Sequence, residues 1–120
     1  MNVSYVSIRE NESSGWDVVK KTFHPEGLQI TVVTLNRHFA DQKTAEVAAK
    51  KLAELNQLPY VSDKVSVITI GTMSDFYLPV ELTPTGRVIV QGTASPSVQS
   101  AIKEARREAE SGKMQFLSRL

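Results

Sequence analysis

Asp41-Gln42-Lys43-Thr44-Ala45-Glu46-Val47-Ala48-Ala49-Lys50-Lys51-Leu52-Ala53 is the stretch that decides how this chain reads. A residue able to cap a helix is followed by apolar side chains at Ala45, Ala48, Ala49 and Leu52. That is the spacing of one helical face, built from small residues of high helix propensity that let a helix lie close against a sheet. The pattern returns near the C-terminus. Ser95 or Ser97 can cap a second helix with Val98, Ala101, Ile102 and Ala105 on one face, and a shift of 53 positions superimposes the two stripes (45→98, 48→101, 49→102, 52→105). Each stripe is preceded by three strand-like runs. The expected fold class is therefore α+β, with residues 1–57 as a first βββα half and residues 58–120 as a second βββα half with a C-terminal tail, sharing one compact domain.

Working outward, Val3–Arg9 alternates as a strand, with Val6 and Ile8 on one face and Tyr5, Ser7 and Arg9 on the other. Asn11–Gly15 forms a hairpin loop in which Gly15 can adopt a positive φ. Trp16–Phe23 resumes the sheet, with Trp16 anchoring the hairpin to the core. His24-Pro25-Glu26-Gly27 is a turn, and the β-branched run Leu28–Leu35 is expected to be the central strand. In the second half Val65–Ile70 is a buried strand, and Phe76–Leu82 is assigned to an edge because Pro79 lacks a backbone donor. Arg87–Gln91 is the returning strand, and the second helix ends near Gly112. The two-faced apolar runs Ile30–Val33 and Val65–Ile70 exceed what two thin helices can cover, so a homodimer is expected.

The chain has 120 residues, 41% of them hydrophobic and 22% charged, which is enough to bury a core. Fourteen basic and 13 acidic residues give a formal charge of +1, spread almost evenly over the two halves, which disfavours strong non-specific nucleic-acid binding. With no cysteine, thiolate metal sites, disulfides and thiol catalysis are excluded. Met1-Asn2-Val3-Ser4 opens no secretory leader, and no run reaches the roughly 20 apolar residues of a membrane span. A cytoplasmic protein with no membrane partner is the expectation, with cellular, plasmid and phage origins all open.

Motifs for chemistry are sparse. His24, Glu26, His38 and Asp41 have no diagnostic metal-ligand spacing, and they read as loop histidines beside caps. Glu10 with Glu12, or Asp75, lacks a serine–histidine pair or phosphate loop to work with, and Gly71-Thr72-Met73 does not cradle phosphate. No catalytic, cofactor-binding or metal residues are assigned, and an enzyme is not expected.

Gly15-Trp16-Asp17-Val18-Val19, followed by Phe39-x-Asp41-x-x-Thr44-Ala45-x-x-x-Ala49-x-x-Leu52-Ala53, resembles small bacterial βββα modules of unknown function. It is also similar to the arm-type DNA-binding domains of phage tyrosine recombinases. The resemblance covers residues 5–53 and rests largely on packing positions; the long second hairpin loop and the whole second half depart from it. It implies a sheet face opposite the helix that reads DNA, offering Tyr5, Ser7, Arg9, Lys20, Lys21 and Arg37. On the second helix Arg106 and Arg107 add basic charge, interleaved with Glu104, Glu108 and Glu110. The apolar tail residues Phe116, Leu117 and Leu120 are the candidate protein interface. The functional expectation is a small non-catalytic protein that binds another protein or itself, with nucleic-acid binding as the alternative.

Overall fold

The computed structural model describes all 120 residues, and the protein is α+β. The first half supplies β1 (Val3–Glu10), β2 (Trp16–His24), β3 (Gln29–Phe39) and α1 (Gln42–Leu55). The second supplies β4 (Val67–Met73), β5 (Phe76–Leu82), β6 (Val88–Val90), α2 (Val98–Gly112) and the two-residue β7 (Gln115–Phe116). The sheets run β1-β2-β3 and β6-β5-β4-β7. The short connections leave β1, β2 and β3 only antiparallel pairing. In the other sheet β4–β5 and β5–β6 are antiparallel and β4–β7 is parallel. No helix is long and apolar enough to cross a membrane.

Both helices begin where the sequence places them. The Asp41 carboxylate accepts from the Thr44 N–H at 2.7 Å, and the Ser97 hydroxyl accepts from the Ser100 N–H at 3.2 Å. Such caps satisfy backbone donors that the first helical turn leaves without partners. The buried stripes are Ala45, Ala49 and Ala53 in α1, and Ala101, Ala105 and Ala109 in α2. The helices therefore repeat at 56 positions, not 53, and the caps obey the same shift (41→97). Val98 and Ile102 lie at the margin of their stripe, and Val47 is exposed.

The 56-residue register continues beyond the helices. Gln57 and Lys113 both take the left-handed conformation. Leu58 and Met114 then donate their N–H groups to Ala53 and Ala109. Each chain next returns alongside the first strand of its half. Val6 bonds to Pro59 and Val61, and Tyr60 bridges Val6 in parallel, while Phe116 pairs with Ile68 in parallel. Lys50 lies over the Tyr60 ring and Arg106 over the Phe116 ring. The repeating unit is thus three strands, a helix and a short parallel return.

That return moves the boundary between the halves. Two compact units form, one of Ser4–Thr22 with Thr31–Asp63, the other of Met1–Val3, Phe23–Ile30 and Lys64–Leu120. Pro59–Val61 belongs with β1 because it bonds there, so the break falls at 63/64 rather than 57/58. In the second unit, the turn after β2 packs on β4: Thr72 donates to the Pro25 carbonyl at 3.1 Å. The Leu28 side chain there occupies the space a Cβ on Gly71 would need. The core of the first unit joins Val6, Ile8 and Val18 to the α1 alanines, with Trp16, Phe39, Leu52 and Tyr60 packed against it. The core of the second joins Ile68 and Ile70 to the α2 alanines, with Tyr77, Ile102, Met114, Phe116 and Leu120 around it.

Three strand expectations are corrected. In the first hairpin loop Ser14, not Gly15, has the positive φ. The run expected to be central, within β3, is the edge of its sheet, and β2 is central. The proline-bearing β5 is central, and Pro79 is accommodated by ending a ladder. Gln91 donates to the Pro79 carbonyl at 2.9 Å, but Pro79 has no N–H to return, and β6 stops at Val90.

Candidate interaction site

β3 owes its strand conformation to Ile30-Thr31-Val32-Val33-Thr34, whose branched side chains favour extended backbone. Being last in its sheet, it has one row of backbone N–H and C=O groups with no neighbouring strand. Val32 is 38% exposed, Val33 56% and Leu35 39%. Thr34 accepts from Arg9 Nη2 at 3.3 Å, and Arg9 projects from the face of β1 opposite Val6 and Ile8. By strand alternation Val33 and Leu35 therefore lie on the α1 side. They stay uncovered because α1 packs over Val6, Ile8 and Val18 of β1 and β2. α1 leaves Val47 65% exposed, beside a hollow of about 350 Å³ lined by Phe39, Lys43, Thr44, Val47, Ala48 and Lys51. Apolar surface thus faces solvent from the strand and from the helix.

The C-terminal end of β3 is polar. His38 takes a left-handed φ of 64°, uncommon for a residue with a Cβ. That turn aims its N–H at Asp17 Oδ1, 3.2 Å away. Asn11 Nδ2 donates to the same oxygen at 3.0 Å, while Asn11 Oδ1 gathers the Ser13 and Gly15 N–H groups. The Asn11 bond first, then the His38 N–H and the charges of Arg9 and His38, hold the Asp17 carboxyl below the usual range against the opposing effect of burial. Arg9 and Arg37, two of the residues assigned to nucleic acid, both line a hollow of about 530 Å³ here. Glu10, Glu12 and Asp17 line it too, so the positive charge is offset where a phosphate would approach.

The rest of the expected DNA-reading face is not open. Tyr5, Ser7 and Lys21 are each 5% exposed or less. Ser7 Oγ donates to the Val61 carbonyl at 2.7 Å, because the return segment Pro59–Val61 runs beside β1. Burial, then the charge of Arg9, lowers the Lys21 pKa against the pull of Asp63, and burial raises that of Tyr5. Tyr60 is pushed up to about 12 by burial and by Glu46 and Asp63. Lys20 is half-buried. On α2, Arg106 is stacked 4.7 Å above the Phe116 ring, and Arg107 is exposed.

The tail is also taken up by the fold. Phe116 is part of β7, Leu117 donates its N–H to the Ile68 carbonyl at 3.0 Å, and Phe116 and Leu120 pack against the α2 core. Phe116, Leu117 and Leu120 are therefore half-buried elements of the second unit rather than a loose apolar end. No three histidine or carboxylate side chains converge as a metal site.

The exposed β3 edge was not singled out from the sequence. Its signal was present in Val32, Val33 and Leu35, which put apolar groups on both faces, but strand order was needed to tell a buried centre from an open edge. No family model, curated protein or solved structure matches this chain.

Proposed function

We propose that this protein is a small non-catalytic binding module that engages another protein strand, its own or a foreign one, along β3. One observation carries the reading: an 11-residue edge strand with Val32, Val33 and Leu35 facing solvent. An open edge is a template for strand addition; main-chain hydrogen bonds supply affinity and alternate side chains supply specificity. The cytoplasm is the proposed place of action, since a chain without cysteine needs no oxidising compartment for its fold. Nucleic acid is the lesser reading, because the carboxylates around Arg9 and Arg37 compete with phosphate for their charge.

The test is a photo-cross-linking amino acid placed at Val33 or at Val90 and irradiated in cells expressing the protein. Defined adducts are expected from position 33 and not from 90. If position 33 gives no adduct, to itself or to any other protein, β3 is not a binding edge.

A further inference from the structure

The outer flank of α1 carries a ladder in which cation and apolar side chain alternate one turn apart: Lys43, Val47, Lys51 and Leu55. Positions four apart lie above one another on a helix, so the four form a single row. All are exposed, Val47 at 65% and Leu55 at 71%. Lys43, Val47 and Lys51 line the hollow of about 350 Å³ beside Phe39, Thr44 and Ala48, whereas Lys50 is turned to the Tyr60 ring. No carboxylate lines that hollow; Glu46 and Glu54, the carboxylates of α1, lie outside it. Neither Lys43 nor Lys51 has an ion-pair partner, and the nearby Asp41 carboxylate is engaged by the Thr44 N–H.

The second half shows the same flank in a solvated form. At the shift that relates the two caps, the ladder becomes Gln99, Lys103, Arg107 and Ser111 on α2 (43→99, 47→103, 51→107, 55→111), all polar and all exposed. The motif therefore folds without apolar residues in this row. We propose that the α1 ladder docks an acidic amphipathic helix, one with carboxylates eight positions apart and an apolar residue midway between them. Lys43 and Lys51 are eight residues apart, about 12 Å along the axis at roughly 1.5 Å per residue. Two carboxylates at that spacing match both ammonium groups, and the apolar residue between them enters the hollow beside Val47. Rows of residues four apart interdigitate in the commonest helix packing, with charge fixing register. The site is independent of the β3 edge, offering side chains where β3 offers main chain. A lipid surface fits less well: lying on a bilayer takes a broad apolar face, and the alanine face of α1 is already packed on its sheet.

The probe is a synthetic helix, acetylated and amidated, with two Glu eight positions apart, Leu midway between them and one turn beyond, and Ala and Gln elsewhere. Titrated at low salt into nitrogen-15-labelled protein, it should shift the amides of Lys43, Val47, Lys51 and Leu55. Lys43→Glu with Lys51→Glu should weaken binding about tenfold, since two attractive charge pairs become repulsive. A peptide with Lys in place of Glu should bind that variant and not the parent. The same charge reversal on the other helix, Lys103→Glu with Arg107→Glu, should leave binding of the acidic peptide unchanged. All four positions are exposed, and circular dichroism checks that each variant is folded. No binding, or equal loss from the α1 and α2 reversals, would overturn the site. Phosphatidylserine vesicles or duplex DNA that shift the α1 amides where the acidic peptide does not would overturn the choice of partner. Shifts confined to β3 would overturn docking on α1 and leave β3 as a binding edge.

Discussion

The third strand is made differently in the two halves. β3 extends over 11 residues and ends its sheet as an open, partly apolar edge. β6 holds three residues, stops where Pro79 of β5 cannot donate to Gln91, and resumes only as a single bridge between Tyr77 and Ser95. The intervening Gly92, at a φ of 70°, turns the backbone out of the extended conformation. A short edge resists strand addition, and a long one invites it. In two copies of one motif, a proline in the neighbouring strand thus goes with a third strand of three residues, and its absence with one of 11. The half without it retains a surface for a partner.

The two halves are most sensitive at their cores. Ile8 and Ile70 occupy equivalent places relative to the returns at Tyr60 and Phe116, and each is about fully buried. Ile8→Ala and Ile70→Ala should each cost about 2–5 kcal/mol through lost contacts and a cavity. Urea unfolding measures both. A far smaller cost at one position would mean that the two cores are not built alike.

A second contrast lies one residue earlier in each strand. Ser7 Oγ is buried and bonded to the Val61 carbonyl, whereas Thr69 Oγ1 is buried with no hydrogen-bond partner. Removing the Ser7 hydroxyl with Ser7→Ala should therefore destabilise by about 1–3 kcal/mol, since the Val61 carbonyl loses its donor. Thr69→Val keeps the shape and removes a group that gains nothing inside the protein. Its melting temperature should equal or exceed that of the parent, and a fall of several degrees would show that the hydroxyl is used.

The two helix caps differ in their response to acid. Ser97→Ala should cost about 1 kcal/mol at any pH, because a hydroxyl cap does not titrate. The Asp41 carboxyl is held below its usual range by the Thr44 N–H, then by the Thr44 side chain. Its folded pKa thus lies below the unfolded value of about 3.9. The cap therefore contributes fully above that value and loses its contribution as pH falls through the folded pKa. Asp41→Ser should leave less acid dependence in α1, read as the ratio of stabilities at neutral and acid pH. An unchanged ratio would refute the assignment.

The smallest expected effect concerns the cations over the return aromatics, 5.6 Å for Lys50 on Tyr60 and 4.7 Å for Arg106 on Phe116. Lys50→Ala and Arg106→Ala should each cost roughly 0.5–1 kcal/mol at exposed sites, with the closer arginine at the upper end. A double replacement with Leu at both aromatic positions would cancel the difference if stacking is its origin.

Much of the fold is legible in the sequence because it follows from local rules. The caps Asp41 and Ser97, the alanine stripes, the turns and the existence of six strands rest on residue type and spacing. The repeat register is less legible. An apolar stripe can be matched at 53 as well as at 56, and the buried alanines, the caps and the returns Pro59–Val61 and Gln115–Leu117 together select 56. Those segments carry no strand signal of their own, since each pairs over two or three residues and is held by the strand it meets. For the same reason Phe116, Leu117 and Leu120 read as a free tail, and Tyr5, Ser7 and Lys21 as an open face. Arg9 and Arg37, 28 positions apart, are brought to one hollow by the hairpins between them.

What the sequence determines by itself is the α+β class, the two capped helices, the repeated order of elements, and the absence of thiol chemistry. Each is set by side chains acting within a few residues of themselves. What only the tertiary structure decides is strand order: that β2 and β5 are central, that β3 is an edge, and that Pro79 ends the ladder to a short β6. The physical reason is that a strand's hydrogen bonds lie between segments. The same Val32-Val33 pair reads as core or as interface according to which neighbour the chain brings beside it.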